Sequence, residues 1–253
     1  MSRTTLIGGL QAVQAALRYD PSRAREAWLD RRRRDGRLEK LRRQLEACDC
    51  AVHEVDARAL EGKLAGINHQ GVILAWQGRP PRGDNALGEH LDGLARPPFL
   101  LVLDQVQDPH NLGACLRSAD AAGVDAVITP RDRAVGLTPV VHRVAAGAAE
   151  AVALFQVTNL ARCLRELGAR GVWRFGLAEA AEAGLYEVDL TGPVALVLGA
   201  EGKGLRRLTR EHCDRLIAIP MAGQVASLNV SVATGVALFE ALRQRQALTR
   251  RSG

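Results

Sequence analysis

From residue 99 onward, short apolar runs alternate with stretches of helical period. The runs at 99–103, 126–129, 153–157, 172–175, 194–198 and 216–219 predict strands, and the amphipathic stretches at 111–122, 138–146, 159–168, 204–212 and 228–246 predict helices. Apolar strands of four to six residues separated by helices form a parallel sheet covered on both faces. In such sheets a ligand lies at the carboxyl ends of the strands. Ahead of this region, residues 1–76 predict a smaller α/β unit. It has a helix over about 8–18 with Leu10, Val13 and Leu17 on one face, a strand at Ala27-Trp28-Leu29, and a basic helix over 37–47. A strand at 51–55, a short helix near 57–64 and a last strand over 71–76 complete it. Pro80-Pro81 and Pro97-Pro98 bracket a polar stretch, so the division is 1–76, a linker over 77–98, and 99–253.

Composition narrows the class. Of 253 residues, 47% are hydrophobic and 25% charged, the profile of a globular protein. No apolar run approaches the roughly 18 residues that span a bilayer, and Leu6-Ile7-Gly8-Gly9 is too short for a signal peptide, so the expectation is a cytoplasmic protein with no membrane segment. Cys48, Cys50, Cys115, Cys163 and Cys213 are too scattered for a disulfide framework or a zinc site, and no metal is expected. Charge is uneven: the first 80 residues carry 15 Lys and Arg against 10 Asp and Glu, the remainder 19 against 18. The excess centres on Arg31, Arg32, Arg33 and Arg34, followed by Arg37, Lys40, Arg42 and Arg43. This is either a surface for a polyanion such as RNA or a solvated helix face.

Three loops after predicted strands carry chemistry. The first contains Asp108-Pro109-His110-Asn111-Leu112-Gly113, with Asn111 as a candidate helix cap, and leads to Arg117 among apolar residues. That arginine requires a partner: Asp104 or Asp120 in a structural ion pair, or a ligand phosphate or carboxylate. The second, Leu198-Gly199-Ala200-Glu201-Gly202-Lys203-Gly204, permits close approach of a ligand to the backbone but matches neither the P-loop nor the dinucleotide glycine pattern. Glu201 would repel a phosphate, so the loop is a tight turn or suits a ligand that is cationic or read through its amides. The third runs from Ile219-Pro220-Met221 through Gly223 to Ser227-Leu228-Asn229-Val230-Ser231, where polar and apolar residues alternate at a helix start.

Taken in order, D-P-x-N-x-G-x-x-x-R-S-A, L-G-x-E-x-x-G and I-P-M-x-G-x-x-x-S-L-N-V-S-x-A resemble the three motifs of the SpoU/TrmH branch of the SPOUT methyltransferases, over about 99–246. Residues 1–76 resemble that branch's substrate-binding domain, similar to ribosomal protein L30e, through Ile7-Gly8-Gly9-Leu10-Gln11-Ala12-Val13 and His69-Gln70-Gly71-Val72. The resemblance implies a C-terminal deep trefoil knot, a homodimer whose active site takes residues from both subunits, and S-adenosyl-L-methionine as cofactor. It further implies 2′-O-methylation of a guanosine in the peptidyl-transferase P loop of 23S rRNA.

By the same resemblance, Leu198, Gly199, Ile219, Met221 and Leu228 bind the cofactor, and Arg117, Asn111, Glu201, Ser227 and Asn229 form the catalytic set. A guanidinium stays charged near neutrality, so Arg117 suits phosphate gripping and electrostatic lowering of the hydroxyl pKa better than literal proton abstraction. Two readings compete. One is an RNA-binding module without catalysis, and the other a sister enzyme acting on tRNA or on another rRNA site.

Overall fold

The computed structural model describes residues 4–33, 35–181 and 183–252. Its packing falls into two units: the chain up to Pro80 together with Gly136–Ala151, and Pro81–Val135 together with the chain from Val152 onward. Residues 136–151, which the linear reading runs together with the larger domain, thus pack within the first unit.

The first unit opens with β1 (Thr4–Gly8), α1 (Leu10–Tyr19), β2 (Ala24–Asp30), α2 (Gly36–Glu46), β3 (Ala51–Val55), α3 (Ala57–Lys63) and β4 (Val72–Gln77). The sheet order is β1-β4-β2-β3, with β4 antiparallel to both neighbours and β2 parallel to β3. β1 escapes the periodicity reading because only Leu6-Ile7 stand between Thr4-Thr5 and Gly8-Gly9, too little alternation to register. The basic helix α2 is polar outside and buries Leu38, Leu41 and Leu45, each worth about 2 kcal/mol of transfer free energy. Asp35 caps it, accepting from the backbone N–H groups of Arg37 and Leu38, both at 3.1 Å. The Arg33 guanidinium beside Asp35 holds that carboxyl below its usual range.

The second unit begins inside the expected linker. Residues Asp84–Asp92 form α4, which buries Leu87 and Leu91 against β-strand residues such as Leu100 and Phe155. Its Asp84 carboxylate accepts from the N–H and hydroxyl of Thr158, both at 3.1 Å. Three apolar residues, Ala86, Leu87 and Leu91, in a nine-residue segment between proline pairs look like linker composition, and only the core they enter reveals the helix. β5 (Phe99–Asp104), α5 (Pro109–Ala122) and β6 (Ala126–Pro130) follow.

The chain then supplies α6 (Pro139–Ala145) and α7 (Ala148–Ala151) to the first unit. His142 of α6 is buried, its Nδ1 3.0 Å from Glu150 Oε1. Gly147 (φ 103) makes the turn between the two helices. A side chain there would meet Ala15 Cβ at 2.1 Å.

β7 (Leu154–Val157), α8 (Leu160–Ala169), β8 (Trp173–Leu177), β9 (Ala183–Gly184), β10 (Val194–Gly199), α9 (Arg207–Glu211), β11 (Arg215–Ala218) and α10 (Val230–Ser252) complete the second unit. Its seven strands run β7-β6-β5-β10-β8-β11-β9, with every neighbouring pair parallel. From β5 the chain winds outward through β6 to β7, then crosses to the other side, and β10 returns beside β5. The carboxyl ends of β5 and β10 therefore flank a topological switch point. Among the described residues no helix is long and apolar enough to cross a membrane.

Candidate active site

The carboxyl ends of β8, β10 and β11 surround a cavity of about 380 Å³, toward the small end of the roughly 300–1,000 Å³ typical of ligand pockets. Leu198, Gly199, Ile219, Met221 and Leu228 all line it, as do Glu201 and Ser227. The cavity has a further wall that sequence analysis misses, Leu177, Ala178, Glu179 and Ala180, together with Lys203 and Arg210. Leu177 ends β8 and the next three residues follow it; β8 lies between β10 and β11, so that loop necessarily stands between the second and third motifs. No local pattern marks it; sheet order alone puts it there.

The second motif is a tight excursion. Gly204 N–H donates to Ala200 O at 2.9 Å, and Gly202 and Gly204 take left-handed φ values of 69° and 60°. At Gly199 the limit is space, since a Cβ would stand 2.1 Å from the carbonyl carbon and oxygen of Gly204. The chain folds closely on itself here, and every residue from Gly199 to Leu205 lines the cavity.

Asn229 joins all three motifs. Its Nδ2 donates to Asn111 Oδ1 at 3.0 Å and to Glu201 Oε1. Its Oδ1 accepts from the N–H (2.9 Å) and hydroxyl (2.6 Å) of Ser231 in the first turn of α10. Asn111 is buried, but it is not the cap of α5. Asp108 is, accepting from His110 N–H at 2.9 Å, with Pro109 at the first helical position. Asn111 therefore sits within the helix, free to spend its side chain on Asn229. α5 packs along α10, with Cys115 Sγ 3.4 Å from Thr234 Oγ1.

Arg117 stands apart from this cluster. Six residues beyond Asn111, it lies about 120° around a helix of ~3.6 residues per turn. It is exposed, does not line the cavity, and has no hydrogen-bond or ion-pair partner among the described residues. The ion pair with Asp104 or Asp120 is absent. Asp104 is occupied by Arg206, whose Nη2 lies 2.6 Å from Oδ1.

In the basic patch, Arg31 and Arg32 are exposed, with Arg31 4.0 Å from Asp56. Arg33 is committed to Asp35 and to Gln70 O. Arg34 lies outside the described residues. Among the described residues no group of three or more His, Cys, Asp and Glu is placed to hold a metal ion.

All five thiols are free. Burial pushes Cys50 and Cys115 up to about 11 and Cys163 and Cys213 up to about 12. Thiolate is the reactive form, so at pH 8 a thiol reagent should label Cys115 and Cys163 only as fast as the protein unfolds. Stopped-flow labelling with and without denaturant measures this; rapid native modification of either would contradict it.

Comparison with known proteins extends this geometry. The SpoU rRNA methylase family model matches residues 98–239, and the model for RNA 2′-O ribose methyltransferase substrate binding matches residues 6–80. The 23S rRNA (guanosine-2′-O-)-methyltransferase RlmB of Shewanella oneidensis is 52% identical over 246 residues, covering 97% of this chain and 100% of that protein. Among solved structures, the SpoU methyltransferase AviRb from Streptomyces viridochromogenes, in complex with AdoMet, superposes with a TM-score of 0.80 at 23% identity, over 96% of this chain and 91% of that one. The AdoMet-bound rRNA methyltransferase from Sinorhizobium meliloti gives 0.77 at 26% identity, over 95% and 87%. With two motifs on one cavity and the first hydrogen-bonded to them through Asn111 and Asn229, an N-terminal substrate-binding module and identity above one half along nearly the whole chain, this protein belongs to the SpoU rRNA methylase family.

Proposed function

We propose that this protein transfers a methyl group from S-adenosyl-L-methionine to the ribose 2′-hydroxyl of a guanosine in 23S rRNA. The observation that carries the reading is the shared cavity. Loops after β8, β10 and β11 line it, and the Asn229 carboxamide ties its rim to Glu201 and Asn111. Its walls fit the cofactor: the apolar side chains of Leu198, Ile219 and Leu228 suit adenine, and the crowded glycine turn exposes backbone groups to a nucleoside edge. Bound there, S-adenosylmethionine supplies an electrophilic methyl group on a sulfonium. The protein's part is to align donor and hydroxyl and to ease the hydroxyl proton away. Asn229, held on both sides of its amide, fixes Glu201 at the rim, and Ser227 adds a hydroxyl there. Arg117, exposed and unpaired, grips the RNA phosphate and stabilises the developing alkoxide as a fixed cation.

The same reading places Arg31 and Arg32 against RNA, makes the protein cytoplasmic and makes it a homodimer whose site draws on both copies. Exposed Val232 and Phe239, seven residues apart on one face of α10, support a second copy. So does an Arg117 that sits away from its own cavity. The trefoil knot and the P loop as target belong to this proposal on the family resemblance alone. Full-length similarity to RlmB relatives favours 23S rRNA over tRNA.

Mapping 2′-O-methyl groups on 23S rRNA from cells with and without the protein tests the reading. One guanosine mark should disappear without it. An unchanged 23S rRNA pattern overturns the substrate, and absence of methyl transfer to any rRNA by purified protein overturns the reaction.

A further inference from the structure

We propose that Asp104 is a positioning residue for the cofactor, its backbone held in register with the start of the glycine loop that walls the cavity and its buried carboxylate pinning the end of that loop; this rests on the function proposed above. Asp104 is the last residue of β5, its side chain is fully buried, and its register partner on β10 is Gly199, where the loop leaves the sheet. The loop comes back to the Asp104 carboxylate at Arg206. There the backbone N–H donates to Oδ2 at 3.1 Å, Nε donates to Oδ1 at 2.7 Å, and Nη2 lies 2.6 Å from Oδ1. Everything between, including Glu201, is an excursion held at one end by the β5–β10 register and at the other by the Asp104 carboxylate. Arg206 also immediately precedes α9, whose Arg210 lines the cavity. On the other side of Asp104, Gln105 takes a left-handed φ of 64° and starts the first motif loop.

Asp104 is fully buried while the Arg206 side chain is 39% exposed, and an ion pair that desolvates a carboxylate is a poor device for stability alone. What this one adds is direction. A planar guanidinium and one amide on a fixed carboxylate define where the loop ends to within hydrogen-bond tolerance.

The test is isothermal titration of S-adenosylmethionine into wild type, Asp104→Asn and Arg206→Lys, with kcat and KM measured on rRNA and folding checked by circular dichroism. Asp104→Asn should raise the cofactor Kd and KM at least about tenfold while kcat at saturating cofactor falls less than threefold. Arg206→Lys, which keeps the charge and the N–H but loses the fork, should raise Kd by a smaller factor. A merely structural role would lower the active fraction and leave the Kd of the folded protein unchanged. A folded Asp104→Asn with cofactor Kd within twofold of wild type overturns the proposal. If that variant does not fold, a wild-type Kd in Arg206→Met overturns it and a raised one supports it. A wild type that fails to bind the cofactor sinks the proposed function itself, whereas a binding wild type with equal binding in the variants sinks this inference alone.

Discussion

Replacing Arg117 with alanine should leave S-adenosylmethionine binding unchanged and lower methyl transfer by about 10²–10³-fold, the cost typical of removing one preorganised group that meets developing charge. The side chain is exposed, unpartnered among the described residues and absent from the cavity wall. Its loss therefore removes no packing and strands no buried partner, and stability should stay within about 0.5 kcal/mol of wild type. Arg117→Lys separates charge from geometry. A point charge recovers part of the electrostatic effect but not a bidentate hold on phosphate, so its rate should fall between wild type and alanine. Titration calorimetry and tritiated methyl transfer to rRNA check both halves. Full turnover in Arg117→Ala would remove the arginine from the mechanism, and lost cofactor binding would mean that it acts on the cofactor cavity.

The contrast between Arg117 and Asn111 shows what a sequence can and cannot convey. Their spacing is visible at once, but whether they share a site depends on which face of α5 meets α10. The packing of Cys115 against Thr234 settles that, turning Asn111 inward and leaving Arg117 outside. Strand positions from residue 99 onward are readable because a parallel sheet buried on both faces needs continuous apolar runs. Leu198, Gly199, Glu201, Ile219, Met221, Ser227 and Leu228 of the second and third motifs come from resemblance, and all seven line one cavity. The wall at 177–180 is invisible because strand order is not a local property: nothing near Leu177 says that β8 will lie between β10 and β11. α4 and β1 are hidden for a different reason. Each offers only two or three apolar residues, and tertiary burial of Leu87, Leu91 and Ile7 completes what propensity leaves open. The cap of α5 was legible in principle, since Asp-Pro is a cap followed by a favoured first helical residue, which makes Asp108 a better candidate than Asn111.

Gly199→Ala should abolish measurable cofactor binding, a loss of at least about 100-fold, although it adds a single methyl group. Its Cβ would lie 2.1 Å from the carbonyl carbon and oxygen of Gly204 and 2.4 Å from the nitrogen of Leu205. All three are backbone atoms, so no rotamer change relieves the overlap and the loop itself has to move. Such a shift would carry Glu201 away from Asn229 and change the shape of a cavity that has Gly199, Gly204 and Leu205 among its walls. Overpacking of this kind costs about 1–3 kcal/mol in fold stability, so a folded protein with a lowered Tm and an altered site is expected. Gly202→Ala is the matched control. No atom lies within 4 Å of its Cβ, and its φ of 69° imposes only conformational strain, about 1–2 kcal/mol for a left-handed residue. Its cofactor Kd should stay within about threefold of wild type. Titration calorimetry and thermal unfolding of both variants decide the matter. If Gly199→Ala binds as wild type does, the turn between β10 and α9 is not the surface the nucleoside rests on. If both variants lose binding alike, the flexibility of the loop, and not the space at its first residue, governs the site.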